Sequence, residues 1–135
     1  MDFLTVVPHT EMRHLLELAG RGSGLLKRFG LYLQHVGIAS LPEAYEARLI
    51  PMFPSACRNL RLLGAEGYDL ALSKLERSLG RDREHVKHLG RAAPLDAGVL
   101  EQRNNQELRP YLVNIERHDL TIRLWIEMLS EQSLR

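Results

Sequence analysis

The sequence has almost no cysteine: Cys57 is the only one in 135 residues. No intramolecular disulfide can form, so a disulfide-stapled secreted scaffold is excluded, and a chain of this length can hold a core by burial alone. Cys57 sits in Ser55-Ala56-Cys57-Arg58, without CxxC spacing, and reads as a small, partly buried residue. An excess of one charge is also lacking. Lys and Arg number 18 against 17 Asp and Glu, a net charge of +1, so no global field draws the chain to nucleic acid or anionic lipid. No apolar run approaches the length of a membrane span. The opening Met1-Asp2-Phe3-Leu4-Thr5 has an acid at position 2 and no basic n-region, so it is not expected to act as a signal peptide. The expected location is the cytoplasm, with no membrane partner. Internal repeats and low-complexity segments are absent.

What is present is an ordinary globular balance, 44% hydrophobic and 26% charged, with a length that fits one domain. Phe3 to Val7 is apolar and closed by Pro8, which predicts a buried strand. Thr10 can cap a helix over Met12, Leu15, Leu16 and Ala19 that Gly20 ends. Leu31 to Ile38 is the second strand candidate, and Asn59 to Leu63 alternates as a third, half-exposed one. Between them Pro42, Pro51 and Pro54 predict an irregular connection around a short amphipathic piece, Glu43 to Leu49. From Tyr68 the periodicity becomes helical. One helix stops at Gly80, a second covers Arg81 to Ala93, and Asp96 caps a third that runs to about Tyr111. A fourth spans Glu116 to Glu131, with Trp125 on its apolar side as core. The fold class is α/β (α+β): a small mixed sheet of about three strands followed by four helices. Residues 1–67 form the strand-rich part and 68–135 the helical part of a single domain.

Several motifs invite chemistry. Gly20-Arg21-Gly22-Ser23-Gly24 looks like a phosphate cradle, but such a loop follows a strand and opens a helix. Here the glycines follow a helix and lead towards a strand, so helix termination is the better reading. His85 and His88 are three apart on one helix, yet zinc needs three or four ligands, and only His118-Asp119 offers itself as a source of more. Asp69 and Lys74 are five apart near the change from strand to helix. If the helix begins at Asp69, that residue is an N-cap and Lys74 can reach back past the terminus. The two should then share one side of a helix terminus and face the sheet. Arg81-Asp82-Arg83-Glu84 is a charged helix start.

Together, Tyr68-Asp69-Leu70-Ala71-Leu72-Ser73-Lys74 and Arg81-Asp82-Arg83-Glu84-His85-Val86 resemble bacterial nucleotidyltransferase-like proteins related to the AbiEii toxins of toxin–antitoxin systems. That group carries an Asp-x4-Lys motif and then an Arg-Asp-x-x-Asp motif. The likeness extends to Leu41–Leu49, a Leu-Pro-x-x-Tyr-x-x-Arg-Leu segment, and to Glu116-Arg117-His118-Asp119-Leu120 through Trp125-Ile126. The resemblance implies a nucleotidyltransferase-like fold. It casts Asp69 and Lys74 as catalytic residues, and Lys74, Arg81 and Asp82 as nucleotide-binding. It also implies Mg²⁺ and a nucleoside triphosphate where activity survives, a cognate antitoxin, and an RNA acceptor that the charge does not support.

The departures from that pattern set a further expectation. The likeness puts Asp2 at the second Asp of the family's Asp-x-Asp pair, making it the one candidate metal ligand. The Gly-Ser turn and the first Asp are missing before it, and Gln34 and His35 stand where a third carboxylate is usual. Position 85 is His where the later motif has Asp. Two Mg²⁺ ions need several carboxylate oxygens. The chain is therefore expected to be truncated or degenerate at its N-terminus and inactive. The alternative is a non-catalytic binding or protein-interaction module. A homodimer is expected, because loss of neighbouring elements would leave the Phe3–Val7 strand an open edge.

Overall fold

The computed structural model describes residues 2–3, 9–35, 40–55, 58–59, 61–75 and 80–133. They fall into two compact units, Met1–Ala39 and Ser40–Arg135.

In the first unit, strand β1 (Asp2–Phe3) pairs in parallel with β2 (Gln34–His35), in the register Asp2 to Gln34 and Phe3 to His35. The rest of the strands expected over Phe3–Val7 and Leu31–Ile38 includes residues 4–8 and 36–39, which lie outside the described residues. Helix α1 (His9–Ala19) stops at Gly20, as its periodicity predicts, and buries Met12. It starts at His9, so Thr10 is within the helix rather than its cap.

The glycine-rich loop corrects a second expectation. It leads not to a strand but into helix α2 (Gly24–Phe29), whose N-cap Ser23 accepts a hydrogen bond from the Leu26 N–H. Gly30 ends α2 at φ 69°, a left-handed conformation that costs glycine nothing, and its N–H bonds to the Leu26 carbonyl. The residue types for this helix were all present. Its six residues are too few for periodicity to register.

The second unit opens with a 3-10 turn over Tyr45–Arg48 and an antiparallel ribbon of β3 (Ile50–Met52) and β4 (Leu62–Gly64). The sequence predicts no strand at β3, because Pro51 reads as a breaker. Proline has no N–H to give a ladder, but it is tolerated in an edge strand such as this one, where it stands opposite Leu63. The strands thus form a parallel pair and an antiparallel pair rather than one three-stranded ladder among the described residues.

The helical part keeps the expected order, but its first helix ends at Ser73 rather than at Gly80, which instead opens the second, and its third ends at Arg103 rather than near Tyr111. Helix α3 covers Gly67–Ser73, α4 Gly80–Ala92, α5 Ala97–Arg103 and α6 Ile115–Ser133. Asp96 caps α5 by accepting from the Val99 N–H at 2.9 Å. The chain leaves α5 through a π-helical turn, Asn104–Leu108, and a 3-10 turn, Arg109–Tyr111. The core is built by Leu72 and Leu75, Val86, Leu95, Leu100, Leu108, and Ile122, Trp125, Met128 and Leu129 of α6. At about 25 cal/mol per Å² of buried apolar surface, these side chains supply most of the driving force. Trp125 is core, as its place on the apolar side of α6 predicts.

Candidate functional site

Asp69 is the third residue of α3 and is fully buried. An ionised carboxylate in that position must be paired and hydrogen-bonded. Arg48 supplies a two-pronged contact, Nε to Oδ2 at 2.8 Å and Nη2 to Oδ1 at 2.9 Å. Arg103 adds a third bond, Nη1 to Oδ1 at 3.0 Å.

Both arginines hold a second acid. Arg48 donates to Glu107 through Nη1 at 3.1 Å and Nη2 at 2.6 Å, and Glu107 also accepts from the Ala44 N–H at 3.2 Å. Arg103 donates to Glu66 and stacks over the Tyr68 ring, 5.1 Å from its centroid. The Tyr68 hydroxyl in turn accepts from the Asp96 N–H. The hydrogen bonds to Asp69 and then Glu107 raise the Arg48 guanidinium above its ordinary range. The bonds from Arg48 hold the Glu107 carboxyl below its ordinary 4.5.

The elements explain this assembly. The 3-10 turn after Pro42 ends at Arg48, and the Glu43 N–H bonds to the Glu107 carbonyl at 2.9 Å, which fastens that turn to the π-helical segment. The π turn adds a residue to the helical register. Its Leu108 enters the core while Glu107 meets Arg48. Two guanidiniums thus serve three carboxylates, leaving the cluster with one net negative charge. Such a cluster suits a structural anchor. An anion site needs cations in excess.

This geometry corrects the reading of Asp69 as a cap. Helix α3 starts at Gly67 with Glu66 at the N-cap position, and Asp69 turns inward instead. Lys74 follows the last residue of α3, so the pair does not share a helix terminus as expected. Five residues of helix separate them by about 7.5 Å along the axis and about 140° around it. Lys74 is half-buried and makes no ion pair among the described residues. Its charge suits the C-terminal end of a helix, where the backbone dipole is negative.

Arg81 is the second residue of α4, and Asp82, the third, is fully buried in the first turn rather than open to a ligand. Asp2 stands in β1 opposite Gln34. The side chains of Asp2 and Arg81 are outside the described part of the structure, as is Cys57. His85 and His88 are exposed on α4. His118 is buried on α6 and bonded to Asn104, while Asp119 takes a two-pronged contact from Arg109 at 2.8 and 2.9 Å.

Among the described residues of this unit, divalent metal chemistry finds no donor set. Among the described residues no group of three or more His, Cys, Asp or Glu side chains could hold a metal ion. The carboxylates that do gather, Glu66, Asp69 and Glu107, already spend their oxygens on guanidiniums. Mg²⁺ does not fit there.

Arg48, Arg103, Glu66 and Glu107 escape sequence reasoning. Their partners lie 21 to 59 residues away along the chain for Arg48 and 34 to 37 for Arg103. The one pointer is the Leu41–Leu49 segment, which contains Arg48. No helix among the described residues is long and apolar enough to cross a membrane. Residues 21–131 match a protein family described as a nucleotidyltransferase of unknown function (DUF6036). No curated protein and no solved structure matches the chain.

Proposed function

The chain belongs to this family of nucleotidyltransferases of unknown function, and from that membership we propose that it binds nucleotide phosphate through Lys74 without transferring the nucleotidyl group. The observation that carries the reading is the burial of Asp69 between two arginines. That carboxylate is consumed as an anchor, so of the Asp-x4-Lys motif Lys74 alone keeps a charge for a ligand. Arg81, at the start of α4, is the second phosphate contact. Asp69 acts as a positioning residue: it fixes α3, and α3 fixes Lys74.

The absence of transfer rests on carboxylate chemistry. A nucleotidyl transfer centre needs anionic oxygens gathered around Mg²⁺, and the sequence contains no Asp-x-Asp pair. Descent from the AbiEii-related toxins and a cognate antitoxin belong to the same reading, motivated by the Asp-x4-Lys and Arg-Asp motifs at Asp69 and Arg81, and a homodimer joins it on the open edge expected at the Phe3–Val7 strand. Light scattering at roughly tens of micromolar protein checks the dimer, and a monodisperse monomer refutes it.

The main test is titration of the full chain with each labelled nucleoside triphosphate. One charge-assisted phosphate contact amounts to about 1.5–3 kcal/mol. Lys74→Ala is thus expected to weaken binding roughly 10- to 100-fold while moving the melting temperature by only a few degrees. Unchanged affinity in Lys74→Ala removes the phosphate role. Incubation with Mg²⁺ and a pool of RNA and protein acceptors should leave no label transferred. Transfer that disappears in Asp2→Ala would restore an active enzyme.

A further inference from the structure

From Leu18 to Pro42 the sequence contains no Asp or Glu, but it does contain Arg21, Lys27 and Arg28. These three cations exceed the net charge of +1 carried by the whole chain, so the remainder stands at −2. Composition averaged over the molecule hides this concentration.

The fold concentrates it further. The Leu33 N–H bonds to the Ala19 carbonyl at 2.8 Å, closing the neck of an excursion that contains the glycine loop and α2. Within it Arg21, Gly22, Gly24, Leu25, and every residue from Lys27 to Leu31 are exposed. A compact surface excursion with its ends tied is a recurrent functional device.

Its aromatic rings are paired with its cations. The Arg28 guanidinium stands 5.2 Å from the centroid of Phe29, and the Arg21 guanidinium 5.6 Å from that of Tyr32. Phe29 is 60% exposed, an unusual position for a large apolar ring that has no solvent-facing polar atom. Cations interleaved with flat rings and guanidinium planes match the two parts of an unpaired polynucleotide: phosphates for the charges, bases for the planes. An anionic membrane fits less well. α2 has only six residues, far short of an interfacial amphipathic helix.

We propose that the excursion formed by Arg21–Tyr32 is a docking surface for single-stranded nucleic acid, with Arg21, Lys27 and Arg28 on phosphates and Phe29 beneath a base. The proposal uses none of the residues assigned to nucleotide phosphate, so the two readings can fail separately.

The test is fluorescence anisotropy of a labelled single-stranded RNA of mixed sequence with the full chain, over a range of KCl concentrations. Three phosphate contacts predict that the logarithm of affinity falls with the logarithm of salt with a slope of about −2. Lys27→Glu/Arg28→Glu should lose at least ~10-fold in affinity, because two attractions become repulsions. Phe29→Ala should lose roughly 5- to 100-fold while keeping the salt slope, since stacking carries no charge. Arg83→Glu on the exposed face of α4 should bind like the parent. Equal affinity in the Lys27→Glu/Arg28→Glu variant overturns the proposal. So does competition by poly-glutamate as effective as that by unlabelled RNA, or binding to phosphatidylserine vesicles with none to RNA.

Discussion

Asp69 shows how one residue can look functional in sequence and be structural in place. As a cap, its loss would cost about 1 kcal/mol. As a buried carboxylate bridging two guanidiniums, its loss breaks three charge-assisted hydrogen bonds and opens a hole in the packed interior, leaving Arg48 with Glu107 and Arg103 with Glu66. Asp69→Ala is therefore expected to destabilise the chain by about 3–5 kcal/mol. Urea unfolding checks this through a lowered midpoint at unchanged slope, and a loss near 1 kcal/mol or less would return Asp69 to the role of a simple helix-start residue. Arg48→Met strands the same carboxylate from the other side and should fall in the same range. Lys74 offers the contrast. Among the described residues it makes no ion pair and meets the end of α3 through the helix dipole, a few tenths of a kcal/mol, so truncating it should touch binding far more than folding. The spacing Asp-x4-Lys was legible at once. That the two residues part company was not, because spacing says nothing about which side of a helix the rest of the molecule covers.

At the scale of elements, α3 and α5 begin differently. Glu66 makes no cap bond and reaches Arg103 instead, so α3 depends on tertiary contacts for its start. Helix α5 carries its own signal in Asp96, which bonds to the Val99 N–H. Asp96→Ala should cost about 1 kcal/mol, while Asp96→Ser should be nearly neutral, since serine caps comparably. Thermal unfolding of the pair checks this, and equal losses in both would mean the carboxylate acts through something other than the cap. Helices α4 and α6 were legible because apolar side chains recur at helical spacing over several turns, whereas α3 and α5, with seven residues each, end before the periodicity predicts. The ribbon of β3 and β4 was half legible. Leu62 and Leu63 carried a strand signal, but Pro51 concealed its partner. The π-helical turn that sets Glu107 against Arg48 had no signature, since nothing local distinguishes it from the α-helix that precedes it.

At the scale of the molecule, acid-sensitive contacts among the described residues include those between Arg48 and Glu107, between Arg109 and Asp119, and between Lys87 and the exposed Glu84. Hydrogen bonds from Arg48 hold Glu107 below its ordinary 4.5, and those from Arg109 hold Asp119 below its ordinary 3.8. A carboxyl whose folded value is depressed adds stability that is present above its unfolded value and lost as pH falls through the folded one. Stability should thus be flat with respect to these groups from neutral pH down to about pH 5, then decline below it. Calorimetric melting as a function of pH checks this. A decline that persists in Glu107→Gln/Asp119→Asn with the same shape would assign it to other groups. The sequence by itself determined the mixed α/β class, the positions of α1, α4 and α6, the apolar set that forms the core, and the membership in a nucleotidyltransferase family. Each of these depends on the order of residue types along a short stretch, and periodicity or spacing reports that directly. Only the tertiary structure decided that Asp69 is buried, that Arg48 and Arg103 meet it from distant segments, and that three cations and two rings gather on one tied excursion. Those facts depend on which surfaces exclude water and which remote groups must pair to compensate, and no local pattern encodes either.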